Sequence, residues 1–318
     1  MRNIVAMLLV ALTLTLAGCA TVMGPYYLEQ EQYEEGISVL GERLKENPDD
    51  APSSYYVGRY HLALNQPSEA LPFLEKAARL EPDNADYAFW TGVAYWALLD
   101  FDRERAAYLK AVSLDPNHIS AHLYLGHGYM DHEQWGKAIE EYDRVLKLDK
   151  YNPEALYNRA RALAALGKTK DEIAAWKKFL EFYPDGSMAL TATEQLNLQG
   201  DFTYRNHIIG GRNVTLRSAA FKPGTSELVK DSKPSLQVLT AMMQVNKKLR
   251  LHIVAYVKGD QSLARARAEA VRETMLNGVR DVDPQRLPLS WFGDAETVIA
   301  GGKQFPLDES VTFITDLR

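Results

Sequence analysis

The chain has a single cysteine, Cys19, among its 318 residues, so an intrachain disulfide is impossible and the fold must depend on packing alone. Basic character is also missing, because the formal net charge is −6 and the pI is about 5.7, which argues against a nucleic-acid-binding protein. Low-complexity tracts are absent as well. Beyond the N-terminus, no stretch is long and apolar enough to predict a membrane span.

The N-terminus has the features of a secretory signal. Arg2 precedes an apolar run over residues 4–16, which is too short to cross a bilayer comfortably. The following tetrad, Leu16-Ala17-Gly18-Cys19, resembles a bacterial lipobox, which implies cleavage after Gly18 and diacylation of Cys19. Two acyl chains give stable membrane anchoring. The alternative is an ordinary signal peptide with an incidental cysteine.

The residue after Cys19 bears on the destination. Ala20 stands where inner-membrane lipoproteins of enteric bacteria typically carry Asp, so the resemblance implies a lipid anchor in the outer membrane, with the protein facing the periplasm. We therefore expect a signal peptide over residues 1–18 and a mature chain of 300 residues (318 − 18), which is long enough for two domains.

Proline recurs with a period of 34 residues in the first half of the chain. Pro48, Pro82, Pro116 and Pro184 fall on one grid, and Lys150 occupies its remaining point. A fixed period of this length is typical of a solenoid of stacked helical hairpins. Such stacks present extended binding surfaces rather than catalytic clefts.

Within this period, small and bulky residues recur in register over four windows that begin at residues 51, 85, 119 and 153. A small residue occupies the eighth position, and bulky residues occupy later positions three or four apart, as on one face of a helix. The eighth position carries Gly58, Gly92, Gly126 and Ala160. The twenty-fourth position carries Leu74, Tyr108, Tyr142 and Trp176, and the thirtieth carries Leu80, Leu114, Leu148 and Phe182. The twentieth position is less regular, with Ala70, Glu104, Ala138 and Glu172.

These positions resemble the tetratricopeptide-repeat (TPR) family over residues 24–185, including a partial N-terminal unit. The resemblance implies an all-α solenoid, which we expect over residues 19–198 with a capping helix at 187–198. It also implies a groove for an envelope protein or peptide, lined by the first helix of each hairpin. The residues that map there form the predicted groove set: Tyr55, Arg59, Phe89, Trp96, Leu123, His127, Met130, Tyr157 and Arg161. The alternative for several of them is packing between repeats.

After Pro184 the period ends, and the pattern changes to alternating strands and helices. Glycines at position 200 and at Gly210-Gly211 indicate a domain boundary. Strands are predicted at 214–216, 249–257, 287–292 and 311–317, and helices at 233–246 and 263–276. This order predicts a small two-layer α/β sandwich over residues 199–318.

This second half resembles the OmpA-like, peptidoglycan-binding family over residues 212–318. Four pieces carry the resemblance: Phe221 with Ser226-Glu227-Leu228, the run 263–271, Asp283-Pro284-Gln285-Arg286-Leu287, and Phe292-Gly293-Asp294-Ala295-Glu296. The family's ligand arginine maps onto Arg267, which implies that this guanidinium holds a carboxylate of the peptidoglycan stem peptide.

The same region departs from the family pattern at a decisive position. Lys258 stands where the family carries the aspartate that binds the ligand's ammonium group, and a cation there would repel that group. Asp260 is a candidate replacement, although it lies two residues away in register. The competing interpretation is a retained fold with a changed or lost ligand site, in which Arg267 pairs with a nearby Glu.

Taken together, these patterns predict a bacterial envelope lipoprotein that acts as a protein–protein interaction scaffold for an envelope, secretion or export machine. The alternative is a lipoprotein that tethers the envelope to peptidoglycan. No enzyme, cofactor or metal site is expected. His118, His122, His127 and His132 lie close in sequence, but a zinc site needs three or four converging ligands, and their placement around a helix start does not favour convergence.

Overall fold

The computed structural model describes residues 20–277 and 282–316. It divides into two compact units, with the division between Lys150 and Tyr151. Cys19 and the expected signal peptide lie outside the described residues, so the cleavage and acylation of this region stay predictions. Within the described ranges, no helix combines the length and apolar character needed to cross a bilayer.

The first unit consists of antiparallel helical hairpins, as the 34-residue period predicts. Its eight described helices are α1 (Ala20–Glu29), α2 (Tyr33–Glu46), α3 (Ala51–Ala63), α4 (Pro67–Leu80), α5 (Ala85–Ala97), α6 (Phe101–Leu114), α7 (Ile119–Asp131) and α8 (Trp135–Leu148). In the second unit the series continues with α9 (Pro153–Ala165), α10 (Thr169–Phe182) and α11 (Ser187–Leu198). The predicted all-α solenoid and its additional helix at 187–198 are confirmed.

A side-chain cap begins the first helix of each full hairpin. Asp50, Asn84, His118 and Asn152 each accept a hydrogen bond from the backbone N–H three residues later. Such a bond satisfies one of the donors that a helix N-terminus leaves unpaired. Because the four caps are 34 residues apart, every hairpin starts at the same point of the repeat.

The turn inside each hairpin also repeats, through one residue in the left-handed region. These residues are Glu31, Asn65, Leu99, Glu133 and Gly167, with φ between 55° and 66°. Glycine and asparagine tolerate this conformation best, whereas a branched apolar side chain adopts it at a cost. Leu99 adopts this conformation, and its side chain is 71% exposed, so the turn places an apolar side chain in solvent.

Close contact between a glycine and a bulky side chain holds the three full hairpins of the first unit together. A β-carbon at Gly58 would lie 2.6 Å from Leu74, one at Gly92 would lie 2.5 Å from the Tyr108 ring, and one at Gly126 would lie 2.6 Å from the Tyr142 ring. Leu74, Tyr108 and Tyr142 are almost completely buried. The small residue at the eighth position is therefore required because the second helix fills that space.

Beyond α11, the second unit contains a small α/β sandwich. Its strands are β1 (Tyr204–Ile209), β2 (Arg212–Arg217), β3 (Arg250–Val257), β4 (Leu289–Phe292), β5 (Glu296–Ala300), β6 (Lys303–Leu307) and β7 (Glu309–Asp316). The central sheet has the order β4-β3-β7, with β3 parallel to β4 and antiparallel to β7. Helices α12 (Lys233–Val245) and α13 (Gln261–Leu276) contribute to the same apolar core as this sheet. The predicted two-layer class is confirmed.

The side chains of β3 alternate as its sequence predicts. Leu251, Ile253 and Ala255 are completely buried among the apolar residues of α12 and α13. This alternation places one face of the strand against the helical layer. Leu287, which precedes β4, is buried in the same core, so β4 extends the buried face of the sheet.

Two antiparallel hairpins were not predicted from the sequence. Gly210 and Gly211, which we interpreted as part of a domain boundary, instead form the turn between β1 and β2, both with positive φ. Gly301 and Gly302 form the corresponding turn between β5 and β6. Two consecutive residues with positive φ match the twist of antiparallel strands, so both glycine pairs were available as hairpin signals.

Within the second unit, hydrogen bonds join α11 to the sandwich, and an ion pair links two strands of the sandwich itself. Asn197 Nδ2 donates to the carbonyls of Asp201 and Tyr204, and Asn206 Nδ2 donates to the Leu190 carbonyl at 3.0 Å. A bidentate ion pair, with both N···O distances 2.8 Å, then links Arg205 on β1 to Glu296 on β5. The sandwich therefore packs directly on α11, and the predicted boundary after residue 198 stays a prediction.

The glycine contact gives a direct test of hairpin packing. We expect Gly92→Ala to lower the free energy of unfolding by about 1–2 kcal/mol, because the new methyl group collides with the Tyr108 ring. Gly136→Ala is the matched control, since a β-carbon there meets nothing within 4 Å. That control should gain about 0.5–1 kcal/mol from helix propensity. Denaturant unfolding followed by helical circular dichroism measures both, and equal effects would contradict the packing argument.

Candidate partner-binding surface and the C-terminal arginine site

Four members of the predicted groove set form the packed floor between repeats. Tyr55, Phe89, Leu123 and Met130 are 7%, 5%, 8% and 9% exposed. The Phe89 ring lies 5.5 Å from the Tyr108 ring, centroid to centroid. For these four residues the structure shows the alternative role of packing, and their contact with a partner stays a prediction.

The other members of the set are accessible to different degrees. In the first unit, Trp96 is 50% exposed, and Arg59 and His127 are half-buried. In the second unit, Tyr157 is half-buried, with its ring 5.2 Å from that of Trp176, and Arg161 is exposed. These residues all lie on the first helices of their hairpins.

Arg59 is held in place by two aromatic rings, that of Tyr55 on its own helix and that of Trp90 on the next hairpin. Its guanidinium carbon lies 4.0 Å from the centroid of Trp90 and 5.5 Å from that of Tyr55, which is the geometry of a cation–π contact. Its Nη1 also donates to the Tyr55 hydroxyl at 3.3 Å. Burial raises the pKa of Tyr55 to about 12, so this hydroxyl stays protonated and neutral. Trp90 was not among the predicted residues, although its position next to Phe89 in an aromatic pair was a signal.

The histidines in and around α7 serve separate structural purposes. His118 caps α7 and lies 3.2 Å from Asp86, whereas buried His122 contacts Glu141 through Nδ1 at 2.6 Å. The hydrogen bond with Glu141 raises the pKa of His122. His132 Nδ1 lies 2.8 Å from the Gly128 carbonyl oxygen. Over the described ranges, no group of three or more potential ligands is arranged to hold a metal ion.

In the sandwich, Arg267 is buried and already paired with a carboxylate. It is 2% exposed, its Nη1 donates to Glu309 at 2.7 Å, and its Nε donates to the Thr225 carbonyl at 3.0 Å. The guanidinium also lies 4.7 Å from the centroid of the Phe221 ring. Its Nη2 is buried without a hydrogen-bond partner among the described residues. The pairing of Arg267 with a nearby glutamate, which was the competing interpretation, is present, and its binding of a ligand carboxylate stays a prediction.

The two charged residues predicted beside Arg267 have local partners. Lys258 is exposed and forms an ion pair with Asp308 at 3.1 Å. Asp260 is the N-cap of α13, where its carboxylate accepts a hydrogen bond from the Leu263 N–H at 2.9 Å. Capping therefore accounts for one of the two carboxylate oxygens of Asp260. Its role as the replacement acid of a ligand site stays a prediction.

Two substitutions separate packing from surface roles in the predicted groove set. We expect Phe89→Ala to lower the free energy of unfolding by about 3–4 kcal/mol, because it removes a buried ring from the repeat interface. Trp96→Ala should change it by less than about 0.5 kcal/mol, because half of that side chain is already in solvent. Denaturant unfolding of both variants checks this, and a large loss for Trp96→Ala would identify it as a core residue.

Three family models match the helical part of the chain. A tetratricopeptide-repeat model matches residues 21–79 and 58–119, a TPR-repeat model matches 126–167, and a second tetratricopeptide-repeat model matches 154–186. A comparison with curated proteins found no match.

Solved structures with the same helical fold were also found. PilF of Pseudomonas aeruginosa superposes with a TM-score of 0.52 at 17% identity, over 57% of this chain and 84% of that one. YrrB, described as a TPR protein with an unusual peptide-binding site, gives 0.48 at 20% identity over 54% and 88%. MamA from Desulfovibrio magneticus gives 0.44 at 22% over 47% and 83%.

The family matches coincide with the hairpins, their caps and their glycine contacts. The helical array has the fold of a protein–protein interaction scaffold, since stacked repeats of this kind present continuous binding surfaces. Residues 21–119 and 126–186 therefore consist of tetratricopeptide repeats.

Proposed function

We propose that this protein is a lipid-anchored scaffold of the bacterial envelope that binds a partner protein along the first helices of its repeats. The observation that carries the proposal is the row of accessible aromatic and cationic side chains on those helices, above a packed aromatic floor. In the first unit this row contains Arg59, Trp96 and His127. The interaction is binding without chemistry.

The composition of this row suits the recognition of a peptide or helix. Tryptophan and arginine are enriched among residues that dominate binding energy, because each buries a large area or forms several directed contacts. Arg59 is already held by Trp90 and Tyr55, so less conformational freedom is lost when a partner binds it. Trp96 offers its exposed half as new area to bury.

The anchoring part of the proposal rests on the sequence before Ala20. The lipobox-like tetrad ending in Cys19 supports diacylation, and Ala20 supports retention in the outer membrane on the periplasmic side. With one end held by lipid, the repeats would recruit a component of an envelope, secretion or export machine to the membrane surface.

Site-specific photo-cross-linking tests the proposed surface. A photoreactive phenylalanine analogue at position 96 or 127 of the full-length protein in cells should give adducts of the same discrete mass, because both positions face one partner. Leu109 is the matched control, since it is 45% exposed but lies on the second helix α6. Equal adducts from position 109, or none from 96 and 127, would contradict the proposal.

Peptidoglycan tethering is a second candidate, favoured by one observation. Arg267 Nη2 is buried without a partner among the described residues, and a guanidinium with a free N–H is suited to binding a carboxylate. In this structure Glu309 occupies Nη1, so a ligand carboxylate would have to bind beside it or displace it.

Sedimentation with purified sacculi distinguishes this candidate. If the site is active, the chain starting at Ala20 should co-sediment, Arg267→Ala should lose binding, and Glu309→Gln should strengthen it by removing the competing carboxylate. Arg267→Lys keeps the charge but lacks the planar set of N–H donors, so circular dichroism of this variant checks that a loss of binding is not a loss of folding. No sedimentation by any of these forms would end this candidate and leave the scaffold proposal unchanged.

A further inference from the structure

A small pocket lies in the first unit between α6 and α7, and aromatic rings form most of its wall. Phe101 and Tyr108 line it from α6, Tyr124 and Tyr129 line it from α7, and His132 lines it from the residue after α7. Arg105 also lines it, and its guanidinium forms an ion pair with Asp102 at 2.8 Å. Phe101 and His132 are exposed, with ring centroids 6.0 Å apart. The free space is about 10 Å³, which holds one group the size of a water molecule.

Two polar groups at this pocket have no hydrogen-bond partner among the described residues. Glu104 is 5% exposed, and its carboxyl oxygens, which keep some contact with solvent, accept no hydrogen bond from these residues. The Tyr108 hydroxyl is also buried and unpaired in the described part of the chain. Gly128 leaves room beside the acid, because even a β-carbon there would be 3.9 Å from Glu104 Oε1.

The equivalent acid in another repeat shows how such a group is normally satisfied. Glu172 occupies the same position of the 34-residue repeat in the second unit and is 2% exposed. Its Oε1 accepts a hydrogen bond from Trp176 Nε1 at 3.4 Å. Tyr108 replaces that tryptophan in the first unit, and its hydroxyl does not bond Glu104. A carboxyl group in a residue this buried loses most of its hydration, and Glu104 has no hydrogen bond from a described residue in return, so a ligand donor could still be added at this pocket.

The missing group must be a small cation that donates hydrogen bonds. A carboxylate accepts hydrogen bonds, and the faces of aromatic rings attract positive charge. The ammonium group of lysine is compact and carries three donors, whereas the planar guanidinium of arginine is much larger than the free space. A neutral water would fit the volume, but the ring faces attract a cation and not a neutral molecule.

We propose that this pocket binds the terminal ammonium group of a lysine side chain from the partner protein, between Glu104 and the rings of Tyr108, Tyr124 and Tyr129. The inference rests on the proposed scaffold function and specifies one chemical feature of the partner. The lysine enters between Phe101 and His132, and its methylene stem packs on the ring faces.

Protons compete with this ligand. Burial, with a smaller contribution from Asp131, raises the pKa of Glu104 to about 7, while His132 and Arg105 oppose the increase. Only the ionised acid pairs with an ammonium group, so affinity should rise as the pH increases through 7. The ordinary pKa of a glutamate is 4.5, so between about pH 4.5 and about pH 7 the folded state holds a proton that the unfolded chain has released. The free energy of unfolding therefore falls as the pH rises through this range.

The test uses the chain starting at Ala20 and two matched probes, N-acetyl-lysine methylamide and its neutral counterpart N-acetyl-norleucine methylamide. Carboxyl-carbon NMR should show that the lysine probe lowers the pKa of Glu104, whereas the norleucine probe does not. In calorimetric titration at pH 8, Glu104→Gln should weaken binding of the lysine probe by about tenfold or more, because the charge-assisted contact is lost. Glu172→Gln is the control and should leave binding unchanged.

A second variant protects the test against misfolding. Gly128→Ala favours the helix but narrows the pocket beside Glu104, so it should weaken binding without reducing helical circular dichroism. Equal binding of both probes, or a Glu104 titration that the lysine probe does not shift, would overturn the proposal. Cross-linking at position 96 together with either result would show that the groove binds a partner without this pocket.

Discussion

The contact between a glycine of the first helix and a large side chain of the second sets the geometry of the three full hairpins in the first unit. At Gly58, Gly92 and Gly126 no β-carbon can be added without moving Leu74, Tyr108 or Tyr142. Close approach of the helices buries those side chains fully, and the caps at Asp50, Asn84 and His118 begin each hairpin at the same register. The placement of Arg59 and Trp96 on accessible helix faces is a consequence of this repeated packing.

Much of the fold could be predicted because its signals are local. The proline period, the eighth-position glycines and the second-helix stripe lie within one repeat, so a single sequence shows them several times. Strand β3 was predictable from its alternation. Strand β1 and the β5–β6 hairpin were missed, since their stability comes from partners far away in sequence, such as the pair between Arg205 and Glu296. In these two hairpins, the local signals in the sequence were the glycine pairs of the turns, Gly210-Gly211 and Gly301-Gly302.

The candidate site could be predicted less well than the fold. The position of a residue in the repeat identifies the helix face on which it lies. Whether it is buried, as Phe89 is, or exposed, as Trp96 is, depends on how the next hairpin packs against that face. The sequence showed that Glu104 replaces the small residue of other repeats. It did not show that Glu104 has no hydrogen-bond partner among the described residues, because this depends on how the Tyr108 side chain packs in the assembled repeats. Likewise, the sequence identified Arg267 as a charge, whereas its pairing with Glu309 requires the register of β7.

The attachment of α11 to the sandwich has a consequence for assembly. A stack of identical repeats with an uncovered last helix offers an apolar end that a second copy can extend, and a head-to-tail contact that does not close produces a filament. Here β1 and the Gly301-Gly302 turn cover that end, with Leu198 against Gly301 and Asn206 bonded to the Leu190 carbonyl. The sandwich therefore occupies the surface of α11 on which a second copy would have to stack.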